Sequence, residues 1–244
     1  MASTSTTTIK GVLFDKDGTL IDFTATWRGL FENMLDDYAG ADQELRIALG
    51  RAVGFDVATR SFLPGSPVVA DTSDVIARLM ADLLPGVDAS TIEDDANRRA
   101  AATGAGDIAP VDGLADALDR LKAGGARLGV GTHDSAQAAH AHIKALGVAD
   151  RFDFVAGYDS GWGLKPGPGM PAAFASHIGA NTSEVVMVGD SIHDLEAGLS
   201  AKCALVVGVL TGPATERDLA PLADIVLPSV ADLPDYLAHR LNPT

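Results

Sequence analysis

The side chains best suited to polar chemistry lie at the ends of short apolar runs, or in the loops just after them. Gly11 to Phe14 stops abruptly at Asp15-Lys16-Asp17-Gly18-Thr19. Thr132, His133 and Asp134 follow Gly129-Val130-Gly131, Lys165 lies in the loop GWGLKPGPG, and Asp190 ends VVMVGD with Asp194 four residues on. In open α/β sheets ligands bind beyond the carboxyl ends of the strands. If these runs are strands of one sheet, the residues behind them share one site.

Asp15 and Asp17 stand two residues apart. On an extended backbone alternate side chains share a side. Both carboxylates would then face one way and Lys16 the other, as a structural or surface cation that need not neutralise the pair. The same composition also suits a solvated turn. Two carboxylates on one side repel unless a cation joins them or one takes a proton. A hard divalent ion such as Mg²⁺ takes oxygen ligands and keeps several waters, so it needs only a few protein oxygens. Asp190, on a neighbouring strand, would supply another. Asp194 lies one helical turn further if GDSIHDLEAG starts a helix, where it would buttress or extend the site. Simple helix capping is the alternative for Asp190 and Ser191.

The elements that must hold these groups are legible as patterns. Val12–Phe14, Leu128–Gly131, Val185–Val188 and Leu205–Leu210 are short and rich in Val or Leu, as expected of strands covered on both faces. Phe154–Ala156 and Ile225–Leu227 would add edge strands. Leu114, Leu118 and Leu121 repeat at helical spacing up to Gly124-Gly125, and Ser135 opens a second helix that Gly147 could end. Alternating strands and helices argue for a mainly parallel sheet with helices on both faces. Residues 24–107 break the alternation. WRGLFENMLDDYAG, DQELRIALGRAVG, TSDVIARLMADLL and STIEDDANRRAAATG all read as helices, and FLPGSPVVADT reads as a loop. The expected organisation is an α/β core of residues 1–22 and 108–244, with an inserted all-α cap of residues 23–107 hinged near 21–23 and 105–110.

DKDGT, a distant Thr132, Lys165-Pro166 and GDSIHD together resemble the four motifs of the haloacid dehalogenase superfamily. The helical insertion after the first motif resembles the cap of its phosphoglycolate-phosphatase-like members. The resemblance implies a Rossmann-like core and a phosphatase acting through an aspartyl-phosphate. Asp15 would be the nucleophile, and Asp17 the general acid and then base. Mg²⁺ would be held by Asp15, Asp17 through its backbone carbonyl, and Asp190, with Asp194 behind them. Gly18, Thr132, His133 and Lys165 would line the phosphoryl group, Lys165 supplying the fixed cation that developing charge requires. Two positions depart from the family pattern. His133 replaces the common asparagine, and Gly169 stands where an acidic residue more often follows the second proline.

Composition narrows the partners. A net charge of −15 argues against nucleic acid and anionic membranes. No apolar run is long enough to span a bilayer, and MASTSTTTIK, which reads as a frayed start, lacks a signal-type apolar segment. Cys203 is the only cysteine and reads as a small core residue, which fits a reducing cytoplasm. The expected substrate is a small phosphorylated metabolite, phosphoglycolate being the nearest family guess. A sugar-phosphate mutase of the same superfamily is the rival enzyme, and a receiver-like phospho-acceptor protein the rival from another class. In the insertion, Trp27 reads as cap core by its spacing from Phe31 and Met34, and Arg28 and Arg60 as solvated charges. His140 and His142 read as ordinary helix residues. No feature specifies an oligomeric state.

Overall fold

The apolar runs read as strands all pair, and all in one direction. The computed structural model describes residues 8–63, 65–104 and 106–241. The expected fraying of residues 1–7, Pro64 of the cap loop and Ala105 of the second hinge lie outside the described residues. The chain begins with β1 (Gly11–Phe14), and α1 (Phe23–Ala39), α2 (Gln43–Val53), β2 (Phe55–Asp56), β3 (Ser61–Phe62), α3 (Pro67–Ala70), α4 (Ser73–Ala81) and α5 (Ala89–Ala102) form the insertion. The core resumes with α6 (Leu114–Ala123), β4 (Arg127–Gly131), α7 (Ala136–Ala145), β5 (Phe154–Ala156), α8 (Gly169–His177), β6 (Val185–Gly189) and α9 (Ile192–Ala201). It closes with β7 (Leu205–Val209), α10 (Glu216–Leu219), β8 (Ile225–Leu227) and α11 (Leu233–Leu237).

The core sheet has the order β5-β4-β1-β6-β7-β8 and is parallel throughout. β1 lies in the middle, with Phe14 beside Val130 of β4 and Val188 of β6. From β1 the chain winds outward on one side through β4 and β5, and on the other through β6, β7 and β8. Such a reversal opens a crevice at the strand ends, and there the residues after β1, β4 and β6 converge. Side chains alternate across the sheet as strand geometry requires. Val12 and Phe14 enter a core with Leu118, Leu121 and Val207, while Leu13 packs on the other face with Met170, Phe174 and Met187. Cys203 is half-buried against that second face, and burial pushes its thiol up to about 12.

The segment between β1 and α6 packs an apolar cluster including Met34, Leu49, Val53, Met80 and Ile92, which Ala138 of α7 joins. It is not entirely helical. β2 and β3 form an antiparallel ribbon, pairing Phe55 with Phe62 and Asp56 with Ser61. The Asp56 carboxylate accepts from the Ala58 and Thr59 amides to close its turn, and the Phe62 ring packs edge-on against Phe23, Phe31 and Phe55. Two-residue strands are too short to display alternation, so packing of aromatic rings, not pattern, makes them. The segment expected to be a loop from Phe62 to Thr72 therefore contains the end of β3 and the short α3. The two crossings between core and insertion run side by side: Asp22 N donates to Ala109 O at 2.9 Å and Val111 N to Leu20 O at 3.0 Å. Among the described residues no helix is long and apolar enough to cross a membrane.

Candidate active site

Asp15 continues β1 by one ladder bond, its N–H reaching Val188 O at 2.8 Å. The chain then leaves the extended path, because the amides of Leu20 and Ile21 both turn back to Lys16 O, at 2.9 and 3.1 Å. Gly18 sits in this turn at φ +83°, and a Cβ there would lie 2.3 Å from Asp190 Oδ2. Only glycine permits both the backbone angle and the approach of Asp190. Thr19 donates its hydroxyl to Asp190 Oδ1 at 3.2 Å, so it is more than a turn residue.

Lys165 ties the cluster together. Its ammonium donates to Asp15 Oδ1, to Asp194 Oδ1 at 2.6 Å and to Gly131 O at 3.1 Å. Asp194 is fixed in turn by Ser191, whose N–H and hydroxyl both donate to Oδ2, at 3.1 and 2.6 Å. Asp15, Asp190, Asp194 and Lys165 are all buried. One carboxylate oxygen from each of Asp15, Asp190 and Asp194 lies within 4.8 Å of the others. Burial first, then the neighbouring carboxylates, lifts Asp15 to about 7 despite Lys165, and raises Asp190 well above the ordinary range. Burial works against ionised Asp194 as well, but the Lys165 charge and hydrogen bonds from Lys165 and Ser191 hold it below its ordinary value. Lys165 is raised: burial opposes its charge, and Asp15 and Asp194 outweigh that. Three buried carboxylates against one ammonium leave a deficit of positive charge among hard oxygens. That donor set fits a hard divalent cation.

The carboxylates of Asp15 and Asp17 do not face one way as the extended-backbone reading expected, and of the two places open to Asp194 it takes the one that extends the acidic group. Asp194 joins Asp15 and Asp190, and the Asp17 carboxylate is turned away. Asp17 Oδ1 accepts from Trp27 Nε1 at 2.6 Å, and Oδ2 pairs with the Lys16 ammonium. The turn after Asp15 breaks the two-residue alternation on which the earlier expectation depended. Lys16 is correspondingly the structural cation of the two readings, although it is not clear of the pair. It is fully buried, 3.2 Å from Asp134 Oδ2 and 5.1 Å from the Trp27 ring centre. Burial opposes its charge, but Asp17 and Asp134 keep its affinity for the proton raised.

Trp27 is buried in the apolar cluster as its spacing suggested, and its indole N–H makes it a polar partner of the site as well. Trp27→Phe keeps most of the ring packing and removes only the donor to Asp17. We expect kcat to fall roughly tenfold, short of the about hundredfold or more that losing an acid-base group outright would cost, with KM little changed, as steady-state kinetics would read.

Spacing did not reveal two further links. His142 is buried in α7, and its Nε2–H must donate to the Ala100 carbonyl at 2.7 Å, joining core to cap; its Nδ1 lies 3.8 Å from Asp134 Oδ2. Burial, then the Lys16 charge, lowers its affinity for a second proton. Thr211 donates to Gly18 O at 2.7 Å, bracing the turn from the loop after β7. Thr132 is buried, with its hydroxyl accepting from the Asp134 amide at 3.1 Å, and His133 lines the cavity with its ring 6.1 Å from that of His193. His140 is exposed, as are Arg28 and Arg60, the latter paired with Glu32. Gly169 has a steric reason: a Cβ there would lie 1.6 Å from the Trp162 carbonyl oxygen, so the loop carrying Lys165 can pack on α8 only over a bare backbone.

These groups face a cavity of about 120 Å³ between core and insertion, lined by Asp15, Asp17, Thr132, His133, Lys165 and Asp190 on the sheet side. Sequence comparison matches the haloacid dehalogenase-like hydrolase family over residues 9–202. The chain belongs to that family. It is 28% identical to a phosphoglycolate phosphatase of Caulobacter vibrioides, over 91% of this chain and 88% of that one. It is 26% identical to the pyrophosphatase PpaX of Bacillus velezensis, covering 92% and 94%. Two solved structures share the fold. A predicted phosphoglycolate phosphatase from Haemophilus somnus gives a TM-score of 0.70 at 18% identity, covering 93% of this chain and 97% of that one. CbbY from Rhodobacter sphaeroides in complex with phosphate gives 0.69 at 23%, covering 92% and 96%. The chain is a hydrolase, and its relatives place it on the phosphatase side of the family.

Proposed function

We propose that this chain is a cytoplasmic, Mg²⁺-dependent phosphatase that hydrolyses a small phosphate monoester through an aspartyl-phosphate on Asp15. The observation carrying this reading is the buried Asp15 carboxylate, bonded to Lys165 beside Asp190 and Asp194 at the mouth of the central strands. Asp15 would attack phosphorus as its carboxylate, forming the oxygen–phosphorus bond while the bond to the leaving oxygen breaks. Lys165, kept charged by its partners, would stand against the phosphoryl oxygens, with Thr132 and His133 on the same wall. Asp17 lines the same cavity and would give its proton to the leaving oxygen, then take one from the water that cleaves the acyl-phosphate. Asp15, Asp190 and Asp194 would hold Mg²⁺, with the Asp17 backbone carbonyl that the family resemblance adds. When bound, the ion supplies the missing positive charge and polarises the phosphoryl oxygens. The relatives named phosphoglycolate phosphatase make that ester the reference substrate.

The test is phosphate release from a panel of monoesters, with and without Mg²⁺. Chelation with EDTA should cut turnover at least about a hundredfold, since metal charge stabilisation supplies several kcal/mol of the barrier reduction, and added Mg²⁺ should restore it. Undiminished turnover after chelation would overturn the metal assignment. Release without any bisphosphate activator separates hydrolysis from phosphoryl return to a sugar, the mutase alternative. A stable phosphoryl-Asp15 without turnover would instead point to a phospho-acceptor.

A further inference from the structure

The reacting groups occupy the sheet side of the cavity, and the opposite wall belongs to the insertion. That wall is apolar: Leu30, Phe31 and Met34 from α1, Val68 and Val69 from α3, and Ile76 from α4. Ser73 and Asn97 give it a neutral polar end, where Asn97 Nδ2 already donates to Tyr158 OH at 3.0 Å. The charged groups lining the cavity are aspartates, except Lys165 and the ionisable His133 on the sheet side. One of those aspartates, Asp71, lies on the cap side. No arginine among the described residues lines it. The insertion does have arginines, but Arg46, Arg60, Arg78 and Arg99 are engaged by Asp36, Glu32, Asp74 and Asp37 away from the cavity. Lys165 is committed to Asp15 and Asp194.

A leaving group that carried its own carboxylate would enter a pocket with no cation on its side and with Asp71 nearby. Burying an unpaired charge beside like charges is a strong device for rejecting a ligand. An apolar leaving group, by contrast, would lose only water on entering. Resting on the phosphatase reading above, we propose that the preferred substrate is the monoester of a small, uncharged, apolar alcohol, alkyl or aryl. Esters with an anionic leaving group, phosphoglycolate included, are disfavoured, although the relatives' names point to that ester.

The experiment compares kcat/KM of the Mg²⁺-loaded protein for propyl phosphate, phenyl phosphate and phosphoglycolate. Propyl phosphate places an ethyl group where phosphoglycolate has its carboxylate, so size is nearly matched. The neutral esters should be favoured by about tenfold or more, the scale at which a pocket separates substrates by one group. Phosphoglycolate turning over equally well or better would overturn the proposal and leave the phosphatase reading standing. Phosphate released from no ester would overturn both. Binding gives a readout free of turnover: calorimetry should find butylphosphonate tighter than 3-phosphonopropionate, and the reverse order would count against the proposal. Leu30→Lys, which sets an ammonium on the apolar wall, should shift the ratio toward phosphoglycolate by about tenfold. An unchanged ratio in the folded variant would argue that this wall does not select the leaving group.

Discussion

Asp15→Asn is expected to release phosphate at less than about a thousandth of the wild-type rate, the scale of loss when a covalent nucleophile is removed. The amide has the size of the carboxylate and its oxygen can still accept from Lys165, so the fold should survive. The variant also tests the electrostatics. Asp15 stands at about 7 in the folded protein against an ordinary value of 3.8. Between those values the folded state binds more protons than the unfolded one, so stability falls as pH rises through that window and levels off above it. In metal-free protein Asp15 should therefore cost stability at pH 8 and little at pH 4. Asparagine cannot ionise. In chelator, its melting temperature should match or exceed that of the wild type at pH 8, and Mg²⁺ should raise the wild type more than the variant. Wild-type turnover by Asp15→Asn would rule out the covalent route. A pH-independent difference in melting temperature would contradict the buried-charge account.

Lys165→Met should lose activity by about a hundredfold to a thousandfold, the range for removing a preorganised charge from the transferring group. It should also destabilise the metal-free protein. Lys165 is the ammonium bonded to both Asp15 and Asp194, and methionine leaves three buried carboxylates without it. Breaking a buried ion pair from one side costs about 3–5 kcal/mol. Lys165 is raised above its ordinary value, so its contribution is full throughout the range below about pH 10. The loss should be largest at neutral pH and shrink toward pH 4, where the carboxylates take up protons. Mg²⁺ should recover part of the stability and little of the activity, since an ion among the carboxylates does not replace a donor to the phosphoryl oxygens. Thermal melts in chelator and in Mg²⁺ at two pH values would show this pattern. An unchanged melting temperature in chelator would mean that Lys165 is not the counter-ion of the cluster.

Much of the architecture was legible because its cause is local or periodic. The strand runs are short, β-branched and apolar on both faces, which only a covered parallel sheet accommodates. The edge segments Phe154–Ala156 and Ile225–Leu227 form β5 and β8. Ser135 accepts from the Ala138 amide at 3.2 Å as a helix cap should, and Gly124 follows the last turn of α6. The four motif regions were visible because each follows a strand or opens a helix. Their convergence then follows from placing β1 between β4 and β6.

What escaped depended on contacts between distant segments. The Phe55–Phe62 ribbon exists because four aromatic rings meet, not because its two-residue strands show a pattern. Asp15 and Asp17, two residues apart, were expected to turn their carboxylates to the same side. Trp27, ten residues on, and buried Lys16 turn the Asp17 side chain away, while Asp194 moves up beside Asp15 and Asp190. His142 looked like any helix histidine until Ala100, from the insertion, supplied its acceptor. Gly169 looked like a lost acidic residue, although the Trp162 carbonyl leaves no room for any side chain. The sequence alone determined the strands and helices of the core and which residue types stand at the strand ends, because hydrophobic period, caps and turns act over a few residues. Tertiary structure alone decided which carboxylates face one another and which wall faces the leaving group. Those depend on burial and on partners brought close by folding, and spacing along the chain does not encode them.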